Sequence, residues 1–269
     1  RRRPTRRRQV LIERHKTDKP MFLYFAPTNC HGEVQAPREL LEAKEPTLGS
    51  VPNHARRIYA ACLLALDNSV ERIEGALQAR DMWATTVLLA TSDNGAVPME
   101  VLNTQAGSNW PLRGQKFRTY EGGTKVPAFL YSALLPAAPR GSTYAGLFHI
   151  VDVAPTLLYG VLRARGAFNA SALAAHDGDS YDQWRALLGE APPPRDVVLY
   201  NIDSCLSGGS IIGAIRQGDL KLIVRELNQT WWPVPRTNAP AEAYLALAQD
   251  AATDRVAVQL SNLSADPNE

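Results

Sequence analysis

The order strand, helix, strand in the first third of the chain constrains the fold more than any other feature. Residues 20–28, PMFLYFAPT, form a short apolar run that ends near a proline, as expected of a strand buried on both faces. Residues 54–80 carry apolar side chains at helical spacing, which predicts an amphipathic helix. Residues 85–91 form a second apolar run, which ends at a turn. Such units imply a parallel sheet, so we expect an α/β fold with a mostly parallel sheet flanked by helices.

The second half of the chain contains further predicted elements, and its composition changes near residue 191. Residues 126–132 resemble another buried strand, and residues 149–162 are predicted to be helical. A proline-rich linker follows, and then two β-rich runs lie on either side of Gln217-Gly218-Asp219, which predicts a hairpin. We therefore expect a small antiparallel sheet near residues 197–225.

These patterns divide the chain into three predicted regions. Residues 1–19 form a basic leader that we expect to be disordered, residues 20–190 an α/β domain, and residues 191–269 a small α+β subdomain. The first eight residues hold six arginines and no acid, so the remainder is mildly acidic despite a formal charge of +2. The arginine run could be a nuclear address or a patch for a polyanion, but a solvated end is the simpler interpretation. No apolar stretch is long enough to span a membrane.

Polar residues follow two of the predicted strands. Asn29-Cys30-His31 comes after the first strand, and Ser92-Asp93-Asn94-Gly95 comes after the second. In open parallel sheets, ligands bind beyond the carboxyl ends of the strands. Asp93 and Asn94 offer the hard oxygen ligands that calcium or magnesium prefers, although D-N-G is also a common turn. His31 could act as a general acid or base, or could be a structural histidine.

A third loop, residues 109–123, has the composition of an anion-binding loop. It reads NWPLRGQKFRTYEGG and contains three cations, Arg113, Lys116 and Arg118, among three glycines. The glycines let the backbone approach a ligand closely, and an ammonium group suits a tetrahedral oxyanion. The loop does not match the phosphate loop of nucleotide-binding proteins.

Taken together, four segments of the chain resemble the sulfatases of the alkaline phosphatase superfamily, most closely the arylsulfatase B group. They occur in the family's order, and the resemblance extends from about residue 20 to the end. The segments are PMFLYFAPTNCHGEVQAP, TSDNG, NWPLRGQKFRTYEGG and LFHIVDVAPTLL. The resemblance implies a sulfatase-like α/β fold and a sulfuric ester hydrolase acting on sulfate monoesters, including sulfated glycans, without nucleic acid as a partner.

The resemblance also implies roles for individual residues. Asp93 and Asn94 match calcium ligands of the family, and Lys116 matches the lysine that binds the sulfate group. His31 matches the histidine that contacts the sulfate or protonates the departing alcohol. Residues 121–123, EGG, are expected to shape the backbone of the sulfate-binding loop.

The sequence departs from the family pattern at the nucleophile. The family uses a cysteine in C-x-P-x-R, which is converted to formylglycine, and none of Cys30, Cys62 and Cys205 lies in that motif. The chain therefore resembles the carboxyl-terminal portion of a sulfatase, inactive by itself. Two alternatives remain: a non-catalytic relative that binds sulfated glycans, and an enzyme that hydrolyses phosphoesters or phosphonates.

The sequence also bears on the cellular compartment. Three N-x-[ST] sequons, at Asn169, Asn228 and Asn262, fit a glycoprotein of the secretory route, in the lysosome or outside the cell. The three cysteines show no zinc-binding spacing.

Overall fold

The structure, a computed structural model, describes most of the chain and divides it into two compact units. The first unit contains Arg1–Leu134, Leu227–Arg255 and Asn268–Glu269, and the second contains Leu135–Glu226 and Val256–Pro267. The described residues are 9–42, 46–51, 53–97, 107–136, 140–164, 166, 178–203, 211–227 and 255–269. Residues 1–8, Cys205, Asn169 and Asn228, which carry some of the sequence-based predictions, lie outside them.

The first unit is built around one long helix, His54–Gln78, as the apolar periodicity predicts. The helix begins at Asn53, whose side chain accepts a hydrogen bond from the Arg56 amide and so caps the first turn. Shorter helices span Arg38–Glu42, Pro46–Gly49 and Glu121–Thr124, and a 3₁₀ turn spans Trp83–Thr85.

One face of the long helix forms the core of this unit. Residues 9–13, inside the predicted disordered leader, are helical and bury Ile12 completely, so an ordered segment begins by residue 9. Burial of apolar surface drives this packing. The buried core residues are Ile12, Ile73, Ala76 and Leu77, with Met21, Leu23, Phe25, Met82 and Trp83 packed against them.

The predicted mostly parallel sheet is not confirmed. Strand β1, Val87–Thr91, pairs with β2, Ala128–Ser132, in antiparallel register, and the two form a two-stranded sheet. Residues 20–28 have the predicted apolar character but form no strand in the structure, since a strand requires a ladder of hydrogen bonds with a neighbour. Phe22 and Tyr24 are 83% and 80% exposed on the outer side of this segment. Only the inner side packs against the core.

The second unit contains the predicted antiparallel sheet. It has four strands in the order β3, β4, β5, β6: Val197–Asp203, Ile212–Gln217, Leu220–Val224 and Val258–Asn262. Strands β4 and β5 form the predicted hairpin, and Gly218 in its turn has a φ of 54°. The fourth strand, β6, was not predicted, because its short alternating pattern lies far from the hairpin along the chain.

The segment predicted to be helical from residue 149 is helical in a mixed form. Ile150–Asp152 is 3₁₀-helical, Val153–Pro155 is α-helical, Thr156–Val161 is π-helical and Leu162–Ala164 is α-helical again. The carboxylate of Asp152 accepts a hydrogen bond from the His149 amide and so caps this segment. Within the described residues, no helix combines the length and the apolar character needed to cross a membrane.

Candidate functional site

The D-N-G segment follows β1 and forms a turn, which hydrogen bonds of its own side chains hold in place. The Asn94 amide donates to Oδ1 of Asp93 at 3.0 Å, and Nδ2 of Asn94 donates to the Gly95 carbonyl at 2.9 Å. The Asp93 side chain is exposed and Asn94 is partly buried. These bonds orient the two polar side chains at the end of the strand, where the sequence predicts a metal site.

Gly95 joins this turn to the glycines of the predicted sulfate-binding loop. Its amide donates to the Gly123 carbonyl at 2.9 Å, and a Cβ atom at position 95 would overlap the carbonyl oxygen of Gly122. The Gly122 amide donates to the Arg113 carbonyl at 2.7 Å. The backbones of the two loops are therefore in direct contact, which only residues without side chains permit.

Asn109 also joins the same two loops, through hydrogen bonds of its side chain. Its Oδ1 accepts from the Ala96 amide at 2.7 Å, and its Nδ2 donates to the carbonyls of Ala96 at 2.9 Å and Gly114 at 3.1 Å. The Lys116 amide also donates to the Ala96 carbonyl, at 3.2 Å. The sequence analysis did not assign a role to Asn109, although its place at the start of the NWPLRGQK segment was a signal.

Lys116 therefore lies in the same loop cluster as Asp93 and Asn94. Its side chain is partly buried, and Nζ lies 5.4 Å from the ring centroid of Phe117. Phe117 is 77% exposed, and Trp110, in the same loop, is 50% exposed. The Lys116 cation thus lies beside one exposed aromatic ring, that of Phe117, and the adjoining turn carries two oxygen-bearing side chains.

Arg113, a second cation of this loop, has a structural role. Its guanidinium is buried, lies 4.3 Å from the ring centroid of Tyr120, and donates to the Glu269 carbonyl at 3.3 Å. The Glu121 amide donates to Oε2 of Glu269 at 2.6 Å. These contacts hold the E-G-G segment in place, so Arg113 contributes to the shape of the loop rather than to an open anion site.

His31 lies in a different local environment. Its ring is exposed, and its backbone amide donates to the Thr28 carbonyl at 3.4 Å. The preceding Asn29 and Cys30 bind Cys62 on the long helix. The described hydrogen bonds bring Asp93, Asn94 and Lys116 together but do not join His31 to them, so its role stays a prediction.

The described residues do not form a complete metal site. Calcium binds six to eight oxygens, whereas the D-N-G turn offers two side chains, and Oδ1 of Asp93 already accepts a hydrogen bond. Among the described residues, no group of three His, Cys, Asp or Glu side chains could hold a metal ion. Asp93 and Asn94 can therefore supply only part of such a site.

We expect Gly95→Ala to destabilise the loop cluster. The new methyl group would overlap the Gly122 carbonyl oxygen, so one backbone must move, at a cost of about 1–3 kcal/mol for overpacking. Chemical denaturation followed by circular dichroism would measure the loss. The matched control is Gly75→Ala on the long helix, where nothing lies within 4 Å of the added Cβ. That variant should keep or gain stability, and an equal effect of the two changes would contradict the proposed contact.

Comparisons with known proteins show what the chain is similar to. The sulfatase family pattern matches residues 6–159. Arylsulfatase J of Mus musculus is 35% identical over 199 residues, which cover 74% of this chain and 30% of that protein. The N-acetylgalactosamine-6-sulfatase of Canis lupus familiaris is 34% identical over 141 residues, or 52% of this chain and 24% of the relative. The chain thus spans less than a third of the length of these relatives.

Two solved structures show the same fold. The crystal structure of Ps i-CgsB superposes with a TM-score of 0.69 at 24% identity, over 98% of this chain and 48% of the other. The PsFucS1 sulfatase from Pseudoalteromonas sp. gives a TM-score of 0.55 at 23% identity, over 78% of this chain and 37% of the other. With a family match over more than half of its length and a relative aligned over three quarters of it, the chain belongs to the sulfatase family.

Proposed function

We propose that the protein of which this chain is part hydrolyses sulfate monoesters, and that residues 109–123 form its sulfate-binding loop. The observation that carries this proposal is the junction of the two loops: Gly95 binds Gly123, and Lys116 binds Ala96. These backbone contacts join the loop of Lys116 to the turn of Asp93 and Asn94, which supports a shared site. Membership of the sulfatase family agrees with this chemistry.

Lys116 is the group best suited to bind the sulfate. A partly buried ammonium group interacts more strongly with an anion than an exposed one, because water screens the charges less. Charge builds up on the sulfate and leaving-group oxygens as the ester bond breaks, and a fixed cation stabilises that charge. In the proposed mechanism Lys116 orients the sulfate, and His31 donates a proton to the departing alcohol oxygen.

Asp93 and Asn94 are proposed to provide part of a calcium site. A bound calcium ion would withdraw charge from the sulfate oxygens. The two side chains need further oxygen ligands beyond those that the described residues supply. Formylglycine, the nucleophile of the family, has no matching cysteine motif in this sequence, so we assign no residue to that role.

The exposed aromatic residues support a substrate that contains a ring. Trp110 and Phe117 flank Lys116 in the sequence, and flat apolar rings can pack against an aryl group or the apolar face of a sugar. Several relatives are named as N-acetylgalactosamine-6-sulfatases. We therefore propose a sulfated glycan as the substrate class, in a glycoprotein of the secretory route, as the three sequons suggest.

We expect Lys116→Ala to weaken the binding of a sulfated sugar to the chain by about 10- to 100-fold, since a hydrogen bond to a charged group contributes about 1.5–3 kcal/mol. Titration calorimetry with N-acetylgalactosamine-6-sulfate at low salt would measure the change. Lys125→Ala is the matched control, because Lys125 is an exposed lysine nine residues away. Equal affinities for the Lys116→Ala variant and the unmodified chain would refute the assignment of Lys116.

A further inference from the structure

Two cysteines, neither of which lies in a C-x-P-x-R motif, approach each other in the first unit. Cys62 lies on the long helix, and its Sγ accepts a hydrogen bond from the Cys30 amide at 3.1 Å. Nδ2 of Asn29 contacts the same sulfur at 3.9 Å and donates to the Cys62 carbonyl at 3.3 Å. Both thiols are free in the structure. The Cys30 backbone therefore lies directly against the Cys62 sulfur, and a disulfide would require Cα atoms about 4.4–6.8 Å apart.

The two sulfurs also have different acidities. A hydrogen bond from the Cys30 side chain lowers the pKa of Cys62 to about 6, against the opposing effect of burial, with further lowering by the Cys30 amide and Asn29. The same side-chain hydrogen bond, together with burial, raises the pKa of Cys30. The hydrogen bond between the two side chains therefore favours the thiolate on Cys62 and the proton on Cys30.

The nearby phenol of Tyr59 does not share the negative charge of the cysteine pair. Burial raises the pKa of the neighbouring Tyr59, and the charges of Cys30 and Cys62 raise it further, while Arg56 lowers it. Tyr59 accordingly stays a neutral phenol at physiological pH and does not compete for the proton.

We propose that Cys30 and Cys62 form a redox-active thiol pair that closes to an intramolecular disulfide, with a small disulfide such as glutathione disulfide as the oxidant. Cys30 is the entry point, because it is partly exposed whereas Cys62 is 3% exposed. Cys62 is the resolving residue, because hydrogen-bond donors surround its sulfur. This inference does not depend on the proposed hydrolytic function.

The reaction balances as two thiol–disulfide exchanges. The Cys62 thiolate acts as a general base and accepts the Cys30 proton while the Cys30 sulfur attacks one sulfur of glutathione disulfide. The sulfur–sulfur bond of glutathione disulfide breaks and releases one glutathione thiolate. The Cys62 thiol then loses its proton through water to that thiolate. Its sulfur attacks the Cys30 sulfur and displaces the second glutathione as a thiolate. Two protein sulfurs are oxidised and two glutathione sulfurs are reduced.

The disulfide would fix the segment that carries His31 to the long helix. Cys30 has a φ of 67°, a conformation that is uncommon for residues other than glycine, so its contacts with Cys62 help to hold the segment in place. A covalent bond between positions 30 and 62 would also restrict the unfolded chain. We expect oxidation to raise the melting temperature by about 5–10 °C.

The test is incubation of the purified full chain with reduced and oxidised glutathione under native conditions, followed by alkylation and peptide mass mapping. We expect a peptide pair linked through Cys30 and Cys62, with the loss of two hydrogens, and a higher melting temperature. The link should exceed either pairing with Cys205 by about tenfold, because closure depends on the folded approach of the two sulfurs. In guanidinium chloride this preference should disappear.

A variant identifies the order of the steps. In the double variant with Cys62→Ser and Cys205→Ser, the reaction should stop at a mixed disulfide of Cys30 with glutathione. The unmodified chain provides the decisive measurement if this variant does not fold. The proposal is overturned if both thiols remain open to alkylation in excess glutathione disulfide, if the mixed disulfide at Cys30 persists in the unmodified chain, or if pairing with Cys205 predominates.

Discussion

The purified 269-residue chain should not hydrolyse a chromogenic aryl sulfate at a measurable rate, although it belongs to the sulfatase family. Loss of a catalytic nucleophile lowers kcat by a factor on the order of 10⁶ in well-studied hydrolases, and the remaining binding groups give roughly 10³ to 10⁴ over water. None of the three cysteines lies in the C-x-P-x-R motif, and Asp93 and Asn94 supply too few ligands for a firm calcium site.

The measurement is turnover of the aryl sulfate by the purified chain with calcium, beside a Lys116→Ala preparation purified in the same way. Equal background rates in the two preparations would agree with the prediction and would indicate a contaminating activity. Robust turnover that disappears in the Lys116→Ala variant would show that the chain contains a nucleophile that neither the motifs nor the described contacts identify.

Replacement of Asp152 by alanine should cost about 3–5 kcal/mol of unfolding free energy in the second unit, because it leaves a buried arginine without its counter-charge. Asp152 is fully buried, and its two carboxylate oxygens accept from Nε of Arg195 at 2.8 Å and from Nη2 at 2.6 Å. The side chain of Gln183 and the amides of His149 and Tyr181 donate to the same carboxylate. The alanine change would leave Nε of Arg195 and the amides of His149 and Tyr181 without their acceptor, whereas Nη2 of Arg195 and Nε2 of Gln183 would each keep a backbone carbonyl.

This network also predicts a dependence of stability on pH. Burial alone would raise the pKa of Asp152, but the hydrogen bonds from Arg195, His149, Tyr181 and Gln183 outweigh it and hold the pKa below its usual value. The stabilisation is therefore fully present above about pH 4, the range of an unfolded aspartate, and is lost as the pH falls through the folded-state pKa. Stability in the Asp152→Asn variant should depend less on pH in that range.

Urea denaturation followed by circular dichroism would measure both effects. Asp219→Ala is the matched control, because Asp219 is 63% exposed and lies 3.9 Å from Arg216 in a surface ion pair. An exposed pair contributes at most about 1 kcal/mol. If the two alanine variants lose the same free energy of unfolding, the buried network contributes no more to stability than an exposed ion pair does.

Local patterns in the sequence were sufficient for elements whose structure depends on near neighbours. The apolar spacing of residues 54–80 predicted the long helix His54–Gln78, because the period of one amphipathic face is visible along the chain. The turn at Gly218 marked the hairpin of β4 and β5 for the same reason. The motifs around Asp93 and Lys116 identified the family, since short segments in a fixed order are specific even without a structure.

Contacts between residues that are far apart in the sequence could not be predicted from these patterns. The Asp152–Arg195 pair spans 43 positions and the approach of Cys30 to Cys62 spans 32, and neither leaves a periodic signal in the sequence. Arg113, predicted to bind an anion, is buried against Tyr120, whereas Asn109 joins the two loops of the candidate site. Residues 20–28 have the composition of a strand, but a strand needs a neighbour to complete its hydrogen bonds. Composition and local spacing thus determined which segments could form helices, strands and a glycine-rich loop. Tertiary packing decided which of them paired, because pairing depends on partners far away along the chain.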